Sequence, residues 1–286
     1  MEGRRRYAYA VLDVFTDRSL EGNGLAVVHD ADGLDDDTMQ RFARETRLSE
    51  TTFVQATARK GADYRNRIFT IRKELPFAGH PSLGTAVAVA RARGESETTY
   101  VQETGVGLQP IDVRIDADVA YASMLQEPAS FGPEVDALHV LAAVGLVPGD
   151  VHRELPPQIV STGLPTLIAP VTATRCVADA RPDFELIDAL AARSGADNIY
   201  LVCLESEGKA RARMFTRFVE GGEDPATGSA AGPLCAYLAE HGHGSRVEIT
   251  QGVEMGRPSR LLAEMEGDRP RVGGNVVSVI EGTVSL

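Results

Sequence analysis

Short runs of alternating apolar and polar residues, separated by glycine turns, predict strands along this chain. Residues 7–15 alternate, and a turn at 22–24 leads into the apolar run 25–28. Two segments instead have helical character. The first, residues 35–45, opens with three acidic residues at the positive end of the helix dipole, and the second, residues 85–93, is rich in alanine and stops at a glycine. The pattern therefore predicts a mixed α+β fold.

The second half of the chain repeats the order of the first. Residues 211–216 match 65–70 almost letter for letter, and a second helical segment is predicted at 183–193. In this alignment Asp197 stands where Glu50 stands in the first half. A period near half the chain is too long for a solenoid, so the repeat predicts a duplicated fold with two related β-rich halves.

The repeat also predicts the domain boundaries. We expect an N-terminal half at residues 1–127 and a C-terminal half at 128–286. The last strand, about 273–286, is expected to pack back on the N-terminal half. At 286 residues the chain is long for a single core, which agrees with two domains.

Composition and charge narrow the possible partners. The chain is 43% hydrophobic and has a formal net charge of -12, which indicates a soluble globular protein and argues against nucleic acid and anionic membranes. The N-terminal segment has no uninterrupted apolar stretch, so no signal peptide is predicted. Three widely spaced cysteines without a CxxC pair are typical of a reducing cytoplasm, and they favour neither a disulfide framework nor a zinc site. They are Cys176, Cys203 and Cys235.

The segment 223–234 is a loop of small residues that leads into a helix. Pro233 is expected in the first helical turn, so the helix is predicted to begin at Gly228 or Ser229. The free backbone N–H groups of such a turn suit a carboxylate or a phosphate. Asp224 lies just upstream, where it is suited to carry a proton or orient a partner. The alternative is that Asp224 or Ser229 only caps the helix.

The equivalent corner in the first half lies at Gly79 and His80. Two such corners are expected to face each other across a cleft between the halves, and clefts of this kind are favoured ligand sites. Glu50 begins a strand among apolar residues, and a carboxylate kept from water is a better general base near neutral pH. Glu50, His80, Asp224 and Ser229 are therefore the candidate catalytic residues. The alternatives are a surface carboxylate for Glu50 and a histidine satisfied by backbone for His80.

Motifs for several other chemistries are missing from the sequence. It contains no GxxxxGK[ST], GxGxxG, HExxH or GxSxG. His241 and His243 follow the end of a predicted helix, where histidines favour the helix dipole, so we interpret them as structural. Acid–base catalysis by side chains, without a metal or a cofactor, is the remaining chemistry.

The sequence resembles the phenazine biosynthesis (PhzF-like) proteins over essentially its whole length. The matching segments are DVFT at 13–16, GNGLAV at 22–27, LSETTFV at 48–54, RIFT at 67–70, LPFAGHP at 75–81, EDPATGSA at 223–230, and QG at 251–252 with GRP at 256–258. This family has the diaminopimelate epimerase fold, which implies two halves, each a barrel-like sheet around a central helix, with the active site in the cleft between them.

The resemblance also implies an activity. The defining member isomerises trans-2,3-dihydro-3-hydroxyanthranilate, and its catalytic glutamate resembles Glu50. That residue is expected to take a proton from C3 of the substrate and return it to C1, while His80, Asp224 and Ser229 hold the substrate. Backbone N–H groups near Gly79 and Gly228 are expected to bind its carboxylate. A homodimer without a cofactor is implied.

Two departures from the family pattern bear on substrate choice. The family usually has proline at the position of Gly24, and proline soon after the residue that matches Phe215. This chain has Thr216, Arg217 and Phe218 there. The first departure is expected to alter a turn, and the second to bring Arg217 or Phe218 near the cleft.

Three other functions stay open from the residues. A two-base amino-acid racemase or epimerase on this fold has a cysteine at each corner, and neither corner has one here. A lyase that removes water from a β-hydroxy acid begins with the same proton abstraction by Glu50. A small-molecule binding protein without turnover belongs to a different class, and the intact set of candidate residues argues against it.

Overall fold

A computed structural model of the chain describes residues 5–217 and 219–286. The chain divides into two compact units. The first consists of the described residues up to Met124 together with Gly273–Leu286, and the second consists of Leu125–Val272. Among the described residues, none of the helices has both the length and the apolar character needed to cross a membrane.

The described residues form seventeen strands and six α-helices. From the N-terminus they are β1 (Arg6–Val14), β2 (Asn23–Val28), α1 (Asp36–Thr46), β3 (Glu50–Gln55), β4 (Tyr64–Phe69), β5 (Glu74–Leu75), α2 (Gly79–Arg93), β6 (Glu97–Thr104), β7 (Gly107–Asp116) and β8 (Val119–Leu125). They continue with β9 (Ser130–Glu134), α3 (Ala137–Ala143), β10 (Gln158–Ser161), β11 (Pro165–Pro170), α4 (Thr174–Asp179), α5 (Phe184–Ser194), β12 (Asn198–Ser206), β13 (Lys209–Thr216), β14 (Glu223–Asp224), α6 (Gly228–Glu240), β15 (Arg246–Gln251), β16 (Ser259–Glu266) and β17 (Arg269–Ser285).

The first unit is a closed ring of eight strands around a helix. Its strands pair in the order β1, β2, β3, β4, β6, β7, β8 and β17, and β17 pairs with β1 to close the ring. The pairs β2–β3 and β4–β6 are parallel. Helix α2 packs against β1, β2, β3, β4 and β7, and residues 79–90 are all buried. A helix buried on every face needs apolar or small residues all round, which this alanine- and valine-rich sequence supplies.

Helix α2 begins two turns before the predicted start at residue 85. Its first residue is Gly79, so Pro81 lies in the first turn, where a missing N–H costs no hydrogen bond. Gly84 lies inside the helix because two neighbours leave no room for a side chain. A Cβ there would lie 2.6 Å from Leu25 Cδ2 and 2.9 Å from Val14 Cγ2. Helix α2 ends at Gly94, which has φ of 70°, as the sequence predicted.

The second unit repeats the strand order of the first. The pairs β10–β11, β12–β13, β13–β14 and β15–β16 are antiparallel, and β11–β12 and β13–β15 are parallel. The same directions describe β1–β2, β3–β4, β4–β5, β6–β7, β2–β3 and β4–β6. Helix α6 packs against β10, β11, β15 and β16, as α2 does in its own sheet. The predicted α+β fold and its duplication are confirmed, whereas helices α3 and α4 are among the elements that the sequence pattern did not predict.

One ion pair occurs in both units at the same place in the sheet. Arg67 Nε and Nη2 donate to the two carboxylate oxygens of Glu74 at 2.8 and 2.7 Å. Arg213 Nε and Nη2 bind Glu223 in the same way, both at 2.8 Å. Each guanidinium also stacks over the phenylalanine two residues later, at 5.2 and 4.8 Å. The two arginines are therefore structural counterparts.

Aligning the units on this pair corrects the predicted counterpart of Glu50. Phe69 and Phe215 correspond, since each follows its arginine by two residues. Glu50 directly precedes the partner of Phe69, and Asn198 directly precedes the partner of Phe215. The prediction that Asp197 occupies the position of Glu50 is therefore wrong by one residue. The second unit has an amide at this position.

The remaining helices cover the outside of the sheets. Met39 and Ala43 of α1 pack against Phe53 and Phe69 in the first unit. In the second unit, α3, α4 and α5 supply the buried residues of a core around Phe215. These cores fix the strands from outside while α2 and α6 fill the inside.

Candidate active site

Glu50 is the first residue of β3 and is buried. Strand β3 runs parallel to β2, so both begin at the same end of the barrel. Strand β1 ends there, because it is antiparallel to β2. The Glu50 side chain is 9% exposed, which places its carboxylate at the edge of the interior rather than on the surface. The alternative that Glu50 is a surface carboxylate is wrong.

His80 is the second residue of α2 and lies beside Glu50. Its Nε2 is 3.2 Å from Glu50 Oε2, and the side chain is 7% exposed. Its Nδ1 is 3.2 Å from Nδ2 of Asn23, the first residue of β2. Burial lowers the pKa of the imidazole to about 3, so the ring is neutral at pH 7.

The first turn of α2 contributes backbone donors at the same place. The helix begins after Ala78, whose methyl side chain cannot cap the N–H groups of Gly79 and His80. The Ala78 carbonyl instead accepts hydrogen bonds from the amide and the hydroxyl of Ser82, at 3.3 and 2.7 Å. Such a turn suits a carboxylate.

Asp224 lies in the second unit, close to the start of α6. It is buried in the two-residue strand β14, and its Oδ2 accepts a 2.5 Å hydrogen bond from the hydroxyl of Thr227. Thr227 is the N-cap residue of α6, so the alternative that Asp224 or Ser229 fills that position is wrong. Helix α6 begins at Gly228 as predicted. Pro233 is its sixth residue, beyond the first turn, which corrects the expected placement.

A buried glutamine fixes the loop between Asp224 and α6. Gln251, on β15, is fully buried, and its Nε2 donates to the Asp224 carbonyl at 2.8 Å and to Thr227 Oγ1 at 3.0 Å. Its Oε1 accepts from the Thr227 amide at 3.2 Å and from the Tyr200 hydroxyl at 3.0 Å. Sequence analysis gave Gln251 only as part of a family motif and missed this role.

A second buried glutamine reaches α6 from the other side. Gln126 Nε2 donates to the Gly228 carbonyl at 2.9 Å, and Gln126 Oε1 accepts from the Thr162 hydroxyl at 2.6 Å. A Cβ at Gly232 would lie 1.9 Å from Gln126 Oε1, so a side chain there would displace the Gln126 amide. The start of α6, with Ser229 half-buried on its first turn, is thus positioned by hydrogen bonds from Gln251 of β15 and from Gln126, which directly follows β8.

The structure brings the candidate residues together in two groups. Glu50, His80 and Gly79 meet at one end of the first unit, and Asp224 and Ser229 flank Gly228 in the second. That both groups face one cleft stays a prediction. Asn23 is the neighbour that sequence reasoning did not select, although its glycine-flanked position in a family motif was a signal.

Gly24 and Arg217, at the two departures from the family pattern, do not belong to these groups. Gly24 lies within β2, opposite Asp13, and not in a turn. Arg217 binds the Asp188 carboxylate of α5, with Nε 3.0 Å from both oxygens, and stacks over Phe184 at 5.1 Å. Phe218 lies outside the described residues.

Thiol and metal chemistry find little support in the described part of the chain. No group of three or more His, Cys, Asp or Glu is arranged there to hold a metal ion. The three cysteines are buried free thiols, and burial raises the pKa of each, to about 12 for Cys235. None of them is therefore a thiolate at neutral pH.

Comparison with known proteins agrees with this geometry. The sequence profile of the phenazine biosynthesis-like proteins, PhzC-PhzF, matches residues 12–282. A relative from Pseudomonas aeruginosa named trans-2,3-dihydro-3-hydroxyanthranilate isomerase is 38% identical, covering 98% of this chain and all of that protein. A solved structure from the same species, described as a predicted epimerase, superposes with a TM-score of 0.87 at 38% identity, covering 98% of this chain and 99% of that one.

A more distant structure shares only the fold. The hydroxyproline epimerase from Agrobacterium vitis, solved with bound trans-4-hydroxy-L-proline, has a TM-score of 0.68 at 13% identity and covers 99% of this chain and 92% of that one. The predicted epimerase-like fold is therefore confirmed. With its profile match and its full-length similarity to a named isomerase, the chain is an isomerase of the phenazine biosynthesis-like (PhzF) family.

Proposed function

We propose that this protein isomerises a small cyclic carboxylate by moving one proton between two carbon atoms, with Glu50 as the group that carries the proton. The observation that supports this most directly is the buried contact between Glu50 and His80, at 3.2 Å. A carboxylate at the edge of a dry site can accept a proton from carbon, and a neutral histidine beside it does not compete as an acid.

A single base fits this chain better than two. The counterpart of Glu50 in the second unit is Asn198, and an amide does not accept a proton at neutral pH. His80 and Ser229 occupy the corners where a two-base racemase on this fold has thiols. His80 is buried and neutral, and a serine hydroxyl is a poor base without an activating partner. The same carboxylate must then both remove the proton and return it.

The substrate class follows from the two helix starts and from the relatives. Backbone N–H groups at Gly79 and Gly228 suit a carboxylate, and Asp224 and Ser229 suit an amino or hydroxyl group. Trans-2,3-dihydro-3-hydroxyanthranilate, which the Pseudomonas aeruginosa relative is named for, has all three groups on one ring. We propose this compound or a close analogue as the substrate.

The proposed reaction needs no cofactor or oxidant. Glu50 removes the C3 proton, and the electron pair of that C–H bond delocalises into the adjacent double bonds. The carboxylic acid then returns the proton at C1. One C–H bond breaks, one forms and the double bonds shift, so no atom or electron is gained or lost.

Deuterium labelling tests this proposal. The protein is incubated in D2O with the proposed substrate, and the product is analysed by NMR for deuterium bound to carbon. Glu50→Gln keeps the shape but cannot take the proton, and we expect its kcat to fall by about 10²–10⁴-fold. Glu45→Gln, at an exposed site on α1, is the matched control and is expected to behave as the wild type.

Each other outcome identifies a competing function. Labelling that persists in Glu50→Gln overturns the proposed role of Glu50. Loss of water from the substrate indicates a lyase, and inversion at one carbon of an amino acid indicates an epimerase. Substrate binding without exchange indicates a binding protein.

We also propose that the protein is a cytoplasmic homodimer. Three buried free thiols and no pairing between them support a reducing compartment. The family resemblance supports the dimer. Sedimentation of the purified protein tests the second point, and a single species at the monomer mass would refute it.

A further inference from the structure

Each ring nitrogen of His80 has a different polar neighbour: Asn23 lies next to Nδ1, and Glu50 lies next to Nε2. Asn23 is fully buried at the start of β2, and its Nδ2 is 3.2 Å from His80 Nδ1. Glu50 Oε2 is 3.2 Å from His80 Nε2. The ring therefore has an amide next to one nitrogen and a carboxylate next to the other.

This arrangement determines which nitrogen carries the proton. An ionised carboxylate only accepts hydrogen bonds, so the contact between Glu50 and the ring nitrogen that faces it is favourable only if that nitrogen bears hydrogen. A neutral imidazole has a single N–H, and burial keeps the His80 ring neutral. Hence Nδ1 has a lone pair, and Asn23 must present its NH2 group rather than its oxygen to it.

The backbone around Asn23 fixes the amide in that place. Gly22 precedes it with φ of 69°, a conformation that favours glycine, and a Cβ there would lie 2.4 Å from the Val14 carbonyl oxygen. Asn23 then pairs with Val14 across the β1–β2 ladder. A turn that only glycine can form thus delivers the amide to the ring.

We propose that Asn23 is a positioning residue that holds His80 as the Nε2–H tautomer, so that the ring presents a hydrogen-bond donor, and not a second base, beside Glu50. This inference rests on the proposed function of Glu50 as the proton carrier. It goes beyond that function because it assigns the acid–base roles within the pair and names the residue that sets them.

The Nε2 hydrogen is then available to the substrate. Glu50 Oε2 lies 3.2 Å from His80 Nε2, close enough for its charge to favour hydrogen on that nitrogen, but the two groups are not aligned as a hydrogen bond, so Nε2–H can still donate to a ligand. The His80 side chain is 7% exposed, and a buried N–H group without a hydrogen-bond acceptor is costly unless a ligand supplies one. A substrate oxygen that binds next to Glu50 can accept this hydrogen, which orients the carbon that loses its proton.

Nitrogen NMR of the protein with 15N-labelled histidine tests the tautomer directly. Couplings between the ring nitrogens and the ring hydrogens show which nitrogen bears the proton, and the spectrum is recorded without substrate. The His80 signal is assigned by its loss in His80→Gln. We expect Nε2–H in the wild type, and Nδ1–H in the wild type would overturn the proposal.

Asn23→Asp replaces the amide with an acceptor of the same shape. The new carboxylate favours hydrogen on Nδ1, so we expect the His80 tautomer to switch and kcat to fall about 10²-fold with KM changed less than about threefold. Asn66→Asp is the matched control. Asn66 is a buried asparagine of β4 that binds Gln102, and its replacement is expected to leave the His80 tautomer as it is.

The outcomes separate this inference from the proposed function. If Asn23→Asp leaves the Nε2–H tautomer and kcat unchanged, Asn23 has no positioning role, even when Glu50→Gln abolishes exchange. If Asn23→Asp fails to fold, the 15N spectra of the wild type and of Asn23→Ser decide whether Asn23 sets the His80 tautomer. Loss of the single Nε2–H state in Asn23→Ser supports the inference, and its retention refutes it.

Discussion

Replacing Gln251 with methionine removes the amide that links β15 to the loop before α6 while keeping a side chain of similar length. Four hydrogen bonds are lost: two that Nε2 donates, to the Asp224 carbonyl and Thr227 Oγ1, and two that Oε1 accepts, from the Thr227 amide and the Tyr200 hydroxyl. Each buried hydrogen bond contributes about 1 kcal/mol net. We therefore expect the free energy of unfolding to fall by about 4 kcal/mol.

Two other glutamines calibrate this estimate. Gln102 is a buried glutamine of β6 in the first unit, and its amide takes part in three hydrogen bonds, with Asn66, Ser82 and Gln109. Gln40 has one, to the Thr70 carbonyl. Their methionine variants are expected to cost about 3 and about 1 kcal/mol respectively.

Urea denaturation of the three variants, followed by circular dichroism, measures these differences. The slope of the free energy against urea is expected to stay constant, which shows that the same surface is exposed on unfolding. If Gln251→Met costs no more than Gln40→Met, the buried amide does not hold the loop. The argument that hydrogen bonds from β15 position Asp224 would then be refuted.

Three further predictions concern pH, packing and thiol reactivity. The pKa of His80 is about 3 in the folded protein and 6.5 for an ordinary histidine, so only the unfolded chain binds this proton between those values, and stability falls as the pH falls through that window. Between pH 6.5 and 5.5, the free energy of unfolding measured with urea is expected to fall by roughly 1 kcal/mol more for the wild type than for His80→Gln. His139→Gln, at an exposed site, is expected to follow the wild type. Equal losses in all three proteins would contradict a buried neutral ring. Gly84→Ala is expected to lower the free energy of unfolding by about 1–3 kcal/mol through overpacking against Leu25. Gly149→Ala, where the new methyl group meets open space, is expected to change it little. Thermal melts in which Gly149→Ala is the less stable variant would disprove the close approach at Gly84. The cysteines are expected to react with an alkylating reagent only as fast as the protein unfolds, since they are buried and protonated, and rapid modification of the folded protein would refute this.

Local pattern was enough to predict much of this protein. The alternation of apolar residues indicated the strands, and the Asp35 and Asp183 starts of α1 and α5 are N-caps in the structure. The near-identical stretches around Arg67 and Arg213 revealed the duplication. These features depend on neighbours within a few residues or on the chain's resemblance to itself, so the sequence alone contains them. The catalytic roles assigned to Glu50 and His80 stay predictions, although the two side chains are in contact.

Only the tertiary structure decided the features that depend on register and on contacts between distant segments. Gly84 disfavours a helix in isolation, and close packing against Leu25 and Val14 inside the barrel made it part of α2. A shift of one residue in the sheet register replaced Asp197 with Asn198 as the counterpart of Glu50. Asn23 stands between two glycines of a family motif, but it lies 57 residues before His80, and nothing in that motif indicates that its amide contacts the imidazole. Periodicity carries information along one segment, whereas pairing and packing are determined by the free energy of all segments together.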